Sequence, residues 1–331
     1  MSFFDIIIKM VGIIILNYNN ATDIVSCVKS ILENVDENNF RIVVVDNGSN
    51  IDVRDGVERA MVELSENSFL SIGEIPQYQM SLPLITYLKL PVNLGYARGN
   101  NAGFELLKSC NEVSYIMICN SDIIFTSDII TPLANKYPKC KDIGALSPML
   151  YRMDGSVDLS CARSAYEMKD LIFTFSYLFS SLYRSRIRRK QLLLQHPNLK
   201  DESLVEVDMP SGSCMLFEKS VFEEIEGFDP NTFLYYEEAI LYHKLKTLDR
   251  KNYLIPTISC IHTGGATTSS TKTSLFLKKC NIDSLLYFMS TYMKASFITL
   301  MYIKITGVSN ILLLNLMQVL KRIFTCILKL R

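Results

Sequence analysis

Four apolar runs of strand length, each stopped by asparagine, aspartate or glycine, constrain this chain more than any other feature. VGIIIL (11–16) runs into Asn17-Tyr18-Asn19-Asn20, and RIVVVD (41–46) into Asn47-Gly48-Ser49. LITYLKL (84–90) runs into Pro91-Val92-Asn93-Leu94-Gly95, and SYIMIC (114–119) into Asn120-Ser121-Asp122. Near-continuous apolar runs belong to strands covered on both faces. After the first run, Ile24, Val25, Val28, Ile31 and Leu32 recur at helical spacing behind Thr22, a candidate N-cap. Arg98 to Lys108 reads as the helix after the third run and Ser127 to Lys136 as the helix after the fourth. Strands alternating with helices predict an α/β fold with a parallel sheet and right-handed crossovers. One polar cluster is an ordinary turn. Four at consecutive strand ends describe a shared rim, which is where open α/β sheets bind ligands.

Beyond Ile143 the pattern changes. DIGALSPMLY (142–151) and SLVEVDMP (203–210) read as further strands, separated by LIFTFSYLFSSLYRSRIRRK (171–190). The stretch from Gly56 to Pro83 gives no clear pattern. Lys+Arg and Asp+Glu stand at 34 each, so no global charge points to nucleic acid. The nine scattered cysteines include no C-x-x-C pair, which fits reduced thiols in a cytosolic protein better than a disulfide framework or a zinc site. The apolar N-terminus carries Asp5 and Lys9 and does not read as a signal peptide.

No uncharged stretch reaches the ~20 residues that span a bilayer. Ile305 to Leu320 is the longest candidate, at 16 residues, so a spanning helix is not expected. At 100° per residue, Asn310, Gln318, Lys321, Thr325 and Lys329 share one side of an otherwise apolar C-terminal helix. The run Arg184, Arg186, Arg188, Arg189 and Lys190 follows an uncharged apolar segment, the form of an interfacial helix on an anionic leaflet. The tail is expected on the membrane surface, the alternative for either region being packing on the catalytic domain or on a second subunit as a homodimer.

The stretch NLGYARGNNAGF (93–104) spaces glycines four apart and matches neither the G-x-G-x-x-G nor the P-loop pattern. On the rim, Asp46 could accept hydrogen bonds from a base or ribose and Asn93 could read a base edge. Asp122 is a hard oxygen ligand suited to Mg²⁺ or Mn²⁺ on a diphosphate.

Together with IIILNYNN, VVVDNGS, ICNSD, SGSCMLF and GFDPNTFLYYEEAILYHKLK, these motifs resemble the inverting glycosyltransferases of family 2. Within them the chain is most similar to the rhamnosyltransferase-like branch of bacterial surface polysaccharide synthesis, over residues 10 to 270. The resemblance implies a GT-A fold with a mostly parallel central sheet flanked by helices. It implies a catalytic domain over 1–270, with a nucleotide-sugar half at about 10–140 and an acceptor half at about 141–270. A helical, membrane-associating extension over 271–331 would follow.

The implied chemistry is single displacement from a nucleotide-sugar donor, dTDP-rhamnose or a UDP-hexose, supported by Mg²⁺ or Mn²⁺. The implied acceptor is a polyprenyl-diphosphate-linked glycan of O-antigen or capsule type, at the cytoplasmic face of the membrane. By position, Asn17 and Asp46 would contact the nucleoside with Ser49 nearby, and Asn93, Gly95 and Arg98 would form the loop over base and diphosphate. Asn120 and Asp122 match the ends of an Asp-x-Asp metal motif whose first Asp is Asn here, leaving Asp122 as the main ligand. Ser211 and Gly212 would line the sugar and acceptor pocket, and His262 would lie near diphosphate and metal. Glu238 would be the general base, with Glu237 the fallback. Ile240 and Lys244 stand where the family often has Asp and Arg.

Two other readings compete. A sugar nucleotidyltransferase needs a Gly- and Arg/Lys-rich loop after the first strand, and NYNNATD is not one. A non-catalytic sugar-nucleotide-binding scaffold would be signalled by loss of Asp122 or of both Glu237 and Glu238, and all three are present.

Overall fold

The computed structural model describes residues 10–76, 81–137, 142–176, 179–191, 204–264 and 271–329. The first half runs β1 (Met10–Asn17), α1 (Ala21–Asn34), β2 (Phe40–Asn47), α2 (Ile51–Leu64), β3 (Phe69–Ile72), β4 (Ile85–Leu90), α3 (Gly95–Lys108) and β5 (Val113–Asn120). The second runs β6 (Ile123–Ile124), α4 (Ile130–Ala134), β7 (Ile143–Tyr151), β8 (Ala162–Arg163), α5 (Met168–Leu171), α6 (Ser180–Arg189), β9 (Val205–Val207) and β10 (Met209–Pro210). It continues through β11 (Cys214–Glu218), α7 (Lys219–Glu224), α8 (Glu237–Lys246) and β12 (Lys251–His262) to α9 (Thr271–Thr291) and α10 (Phe297–Lys329).

Among the described residues one sheet runs in the order β3-β4-β2-β1-β5-β11-β7-β12-β6, with β9 on the flank of β12. β3, β4, β2, β1 and β5 pair in parallel, as does β7 with β12, while β11 runs antiparallel between β5 and β7. Alternate residues feed two cores. Ile13, Ile15, Ile42 and Val44 pack with Ile24, Val28 and Ile31 of α1, whereas Ile14, Val43 and Val45 pack with Phe104 and Leu107 of α3. Each such fully buried aliphatic side chain contributes about 1.5–3 kcal/mol relative to exposure.

Local details differ from the sequence reading. α1 is capped by Asn20, whose side chain accepts from the Asp23 amide, rather than by Thr22. The unclear stretch after Gly56 holds most of α2 and the edge strand β3, whose four residues are all half-buried. The segment at 203–210 divides between β9 and β10, which join different sheets. Gly103 packs α3 onto the sheet, since a Cβ there would meet Ile14 Cγ2 at 2.7 Å.

The C-terminal helices pack on the rest of the fold. Leu285, Phe288 and Met289 of α9 and Ile303 of α10 pack with Ala239 and Ile240 of α8, so the apolar Ile240 belongs to this third core. Asp229 accepts from Tyr287 Oη at 2.7 Å and Tyr292 Oη at 2.6 Å. Ser284 Oγ donates to Leu234 O at 2.8 Å, and Lys244 Nζ to Gly227 O at 2.8 Å. Helix α9 and the end of α8 thus clamp the loop 227–236 that leads into Glu237. Burial alone would raise the Asp229 carboxyl, but the bonds from Tyr292, Asn231 and Tyr287 outweigh it and hold it below its ordinary value. Tyr292→Phe is expected to lower the unfolding free energy by about 1.5–3 kcal/mol, the worth of a hydrogen bond to a charged group, measured by urea denaturation.

In helix α10 the one described residue of the polar stripe, Asn310, faces the protein. Asn310 turns inward, donating to Phe175 O at 2.7 Å, and Gly307 lies against Ile282 of α9. Phe297, Ile298, Met301, Ile305, Val308, Leu312, Leu316 and Met317 face outward. The segment Phe297–Met317 is 21 residues, long and apolar enough to cross a membrane, and only 12% of its most apolar part is buried. Its single charge, Lys304, interrupts the uncharged run; a lysine can keep its ammonium in water while its stem stays in apolar surroundings. The side chains of Gln318, Lys321, Thr325, Lys329 and Arg184 lie outside the described residues. In the basic run, Arg186 and Lys190 pair with Asp170 at 3.4 and 3.2 Å, and Arg188 and Arg189 are exposed.

Candidate active site

The rim residues fall at the carboxyl ends of adjacent strands, as the register Asn17↔Asp46 and Leu16↔Asn120 requires. Asn17 has no exposed surface, and neither its Oδ1 nor its Nδ2 has a hydrogen-bond partner. An orphaned buried amide costs free energy that a ligand can recover. Asp46 is set back from the rim. It is fully buried, and its carboxylate accepts from Arg54 Nε at 2.5 Å and from the Ser49 amide at 3.2 Å. The guanidinium of Arg54, rather than solvent, meets Asp46, which corrects the picture of an open acceptor. Ser49 Oγ in turn accepts from the Asn19 amide at 2.9 Å.

Asn93 also differs from expectation, because its Oδ1 builds the loop. It accepts from Asn47 Nδ2 at 3.0 Å and from the Gly95 amide at 2.9 Å, while Asn47 Oδ1 takes the Leu94 amide at 2.9 Å. Gly95 has φ +83°, and a Cβ there would sit 2.3 Å from Phe233 O. Only glycine fits that left-handed, crowded position. Arg98 is exposed and donates Nε to Pro230 O at 2.7 Å, so this loop is tied to the one preceding Glu237.

A cavity of about 410 Å³ opens beside this loop, lined by Tyr96, Asn120, Arg163, Gly212, Ser213, Tyr235, Glu237 and Glu238 among others. Tyr235 and Tyr236 are both left-handed, with φ 79° and 69°. Such residues cost about 1–3 kcal/mol each and gather at functional sites. The strained turn starts α8 so that its first two residues are the paired glutamates. Neighbours on a helix point ~100° apart, and the two acids meet different surroundings.

Glu238 Oε1 accepts from the Gly212 amide at 3.1 Å and lies 3.6 Å from Arg163 Nη2. Glu237 is buried with no partner for Oε1, and burial, reinforced by the charge of Glu238, pushes its carboxyl up to about 8. Tyr96 donates to Gly212 O at 2.7 Å; burial and then Glu238 push its phenol well up. Ser211 faces inward, its Oγ 3.1 Å from Ser213 Oγ, and Asn120 binds Ser213 through its amide.

The Glu237 proton makes a stability prediction. Between pH 4.5, its ordinary value, and about 8, the folded state holds a proton the unfolded chain has released. Stability therefore falls as pH rises through that window. Glu237→Gln removes this penalty, so its melting temperature relative to wild type should climb from pH 5 to pH 8 in a scanning-calorimetry series.

Asp122 and His262 are brought together because β6 pairs with β12, in the register Ile123↔His262. Asp122 Oδ2 lies 3.3 Å from His262 Nε2, and Asp122 O accepts from the Thr263 amide at 2.9 Å. His262 Nδ1 meets Asp158 Oδ2 at 2.7 Å. Hydrogen bonds to Asp122 and Asp158 raise the imidazole to about 9, and the bond from His262 holds Asp158 well below the usual carboxylate range. The Asp122 carboxylate is a hard donor that suits Mg²⁺ or Mn²⁺, the His262 imidazole could be a second donor, and a diphosphate and water could fill the remaining positions. Among the described residues no group of three His, Cys, Asp or Glu side chains could hold a metal unaided. The pair fits a cation that is shared with a bound ligand.

Asp158 and Arg163 escaped the sequence reading. Asp158 sits among turn residues whose composition explains it fully, and Arg163 carries no local signal.

Comparison with known proteins places the family and the fold. The sequence matches the family profile described as Glycosyl transferase family 2 over residues 12–226. It is 25% identical over 196 residues to N-acetylglucosaminyl-diphospho-decaprenol L-rhamnosyltransferase from two Mycobacterium tuberculosis strains, CDC 1551 / Oshkosh and ATCC 25618 / H37Rv. That match covers 54% of this chain and spans 59% of the length of those relatives. The fold is similar to a crystal structure of GalNAc-T7 with UDP, GalNAc and Mn2+, with a TM-score of 0.56 at 14% identity, over 85% of this chain and 48% of the other. The architecture is thus GT-A-like, and the chain belongs to glycosyl transferase family 2.

Proposed function

We propose that this protein is an inverting, metal-dependent glycosyltransferase that moves a sugar from a nucleoside diphosphate donor to a lipid-linked glycan. One observation carries the reading: Glu238 stands on the wall of the cavity that also holds Asn120, two residues ahead of Asp122. A donor whose diphosphate lies at Asp122 and His262 would present its anomeric carbon toward that cavity. Glu238 takes the proton of the acceptor hydroxyl as that oxygen attacks, and the sugar–phosphate bond breaks on the opposite face. The Gly212 amide and Arg163 orient Glu238. The cation, when bound, neutralises charge on the departing diphosphate. Asn17 offers its orphaned amide to the nucleoside. Domain limits of 1–270 for catalysis and 271–331 for the extension accompany this reading.

The mycobacterial relatives' name specifies rhamnose and a diphospho-decaprenol acceptor, which supports dTDP-rhamnose and a polyprenyl-diphosphate-linked acceptor here; a UDP-hexose is the second donor to try. A panel of nucleotide sugars tests this by thermal stabilisation, since a ligand at 100 times its Kd adds about 2.7 kcal/mol. One donor should raise the melting temperature only when Mn²⁺ is present. Equal, metal-independent behaviour across the panel would count against the proposal.

The outward apolar face of α10 suits the membrane on which such an acceptor resides, at its cytoplasmic side. Ile305 and Leu312 are 58% and 63% exposed, so Ile305→Glu with Leu312→Glu should leave the melt within a few degrees of wild type. The double variant should shift from the membrane pellet to the supernatant in a sedimentation assay. A variant that stays membrane-bound removes the assignment of this face.

A further inference from the structure

His262 is held from two sides by carboxylates with different surroundings. Asp158 lies in the turn after β7 and is 6% exposed. Its Oδ1 accepts from the Ser160 amide at 2.9 Å and from Ser160 Oγ at 2.8 Å, with Arg152 Nη2 at 3.8 Å. These bonds fix the carboxylate and leave Oδ2 for His262 Nδ1, 2.7 Å away. A carboxylate only accepts, so the ring nitrogen facing it carries a proton. Nε2 faces Asp122 Oδ2 at 3.3 Å and hydrogen-bonds to it until a cation displaces that proton and meets the Nε2 lone pair. Ligation to a metal needs that lone pair.

We propose that Asp158 is a positioning residue for the metal site: it locks His262 in the Nδ1–H tautomer with Nε2 directed to a divalent cation shared with Asp122. This rests on the reading of Asp122 and His262 as the cation's protein ligands. Asp158 binds no cation itself. It acts through His262, fixing the ring's rotation and making Nε2 a stronger donor, as carboxylates behind metal-bound imidazoles do. A turn-forming Asp would need only its bonds to Ser160, and those occupy the oxygen that His262 does not use.

Asp158→Asn separates the two roles. The amide keeps an oxygen for Ser160 and can present N–H to His262 Nδ1, which drives the ring proton to Nε2 and blocks the ligating atom. The same exchange behind a catalytic imidazole produces the wrong tautomer with geometry intact. Asp158→Glu keeps an acceptor for Nδ1–H. Mn²⁺ would be titrated by EPR of the free ion into wild type, Asp122→Ala, Asp158→Asn and Asp158→Glu, with UDP or dTDP present, alongside metal-free melts. Asp158→Asn is expected to weaken Mn²⁺ binding by about 10–100-fold, and Asp158→Glu to stay closer to wild type. If the Asn variant melts early, Asp158→Ala serves in its place, with the same loss of affinity expected. Asp158→Asn or Asp158→Ala binding Mn²⁺ as wild type does, while Asp122→Ala does not, overturns this inference alone. Wild type binding no Mn²⁺, or no better than Asp122→Ala, overturns the metal reading and the inference with it.

Discussion

Asp122→Ala is expected to abolish sugar transfer, by at least ~10³-fold or about 4 kcal/mol of transition-state stabilisation, while the metal-free protein melts close to wild type. The local structure does not depend on the carboxylate: β6 and β12 pair through their backbones, and Thr263 bonds the backbone carbonyl of Asp122. His262 would keep its bond to Asp158. On the proposed reading, what would disappear is one of two protein donors for the cation, and with it the charge that would let a nucleoside diphosphate leave. Steady-state transfer with and without EDTA checks this. Full activity in EDTA, or in the variant, removes the metal from the account.

Glu238→Gln should lower kcat by roughly 10²–10⁴-fold with donor affinity nearly unchanged. The amide oxygen can still accept from Gly212, so the side chain stays in place, yet it no longer takes a proton at neutral pH. Glu237→Gln should cost far less. With its carboxyl pushed up to about 8, Glu237 is mostly protonated at pH 7, and a base that already holds its proton cannot accept another. Glutamine then replaces one neutral group by another of the same shape. Measuring kcat and donor Kd for both variants separates the roles, and a dead Glu237→Gln beside an active Glu238→Gln reverses them.

The half of the fold that was legible in the sequence is the half whose strands are buried on both faces. β1, β2, β4 and β5 are continuous apolar runs because helices cover both sides of the sheet. β3 was not legible, since four half-buried residues at an edge carry no such signal. The rim was legible as composition, but individual roles were not. Whether Asp46 faces solvent or Arg54, and whether Asn93 faces a ligand or Asn47, depends on side chains distant in sequence. The Asp122–His262 pair was named by resemblance; its geometry comes from β6 meeting β12, 139 residues apart by the pairing Ile123↔His262, which no local pattern encodes. The tail was legible as a helix with one polar side, but not which side meets the protein. Helical periodicity finds a polar stripe, yet Asn310 satisfies its amide on Phe175 O inside the protein and leaves the apolar face outward.

The central claim is single displacement with Glu238 as the base, and the anomeric configuration of the first product tests it most directly. In a Mn²⁺-supported reaction followed by ¹H NMR from the first turnovers, the transferred sugar should carry the configuration opposite to that in the donor. The same signal should be nearly absent with Glu238→Gln. Retention of the donor's configuration, or an unchanged rate of product formation in Glu238→Gln, would contradict the account.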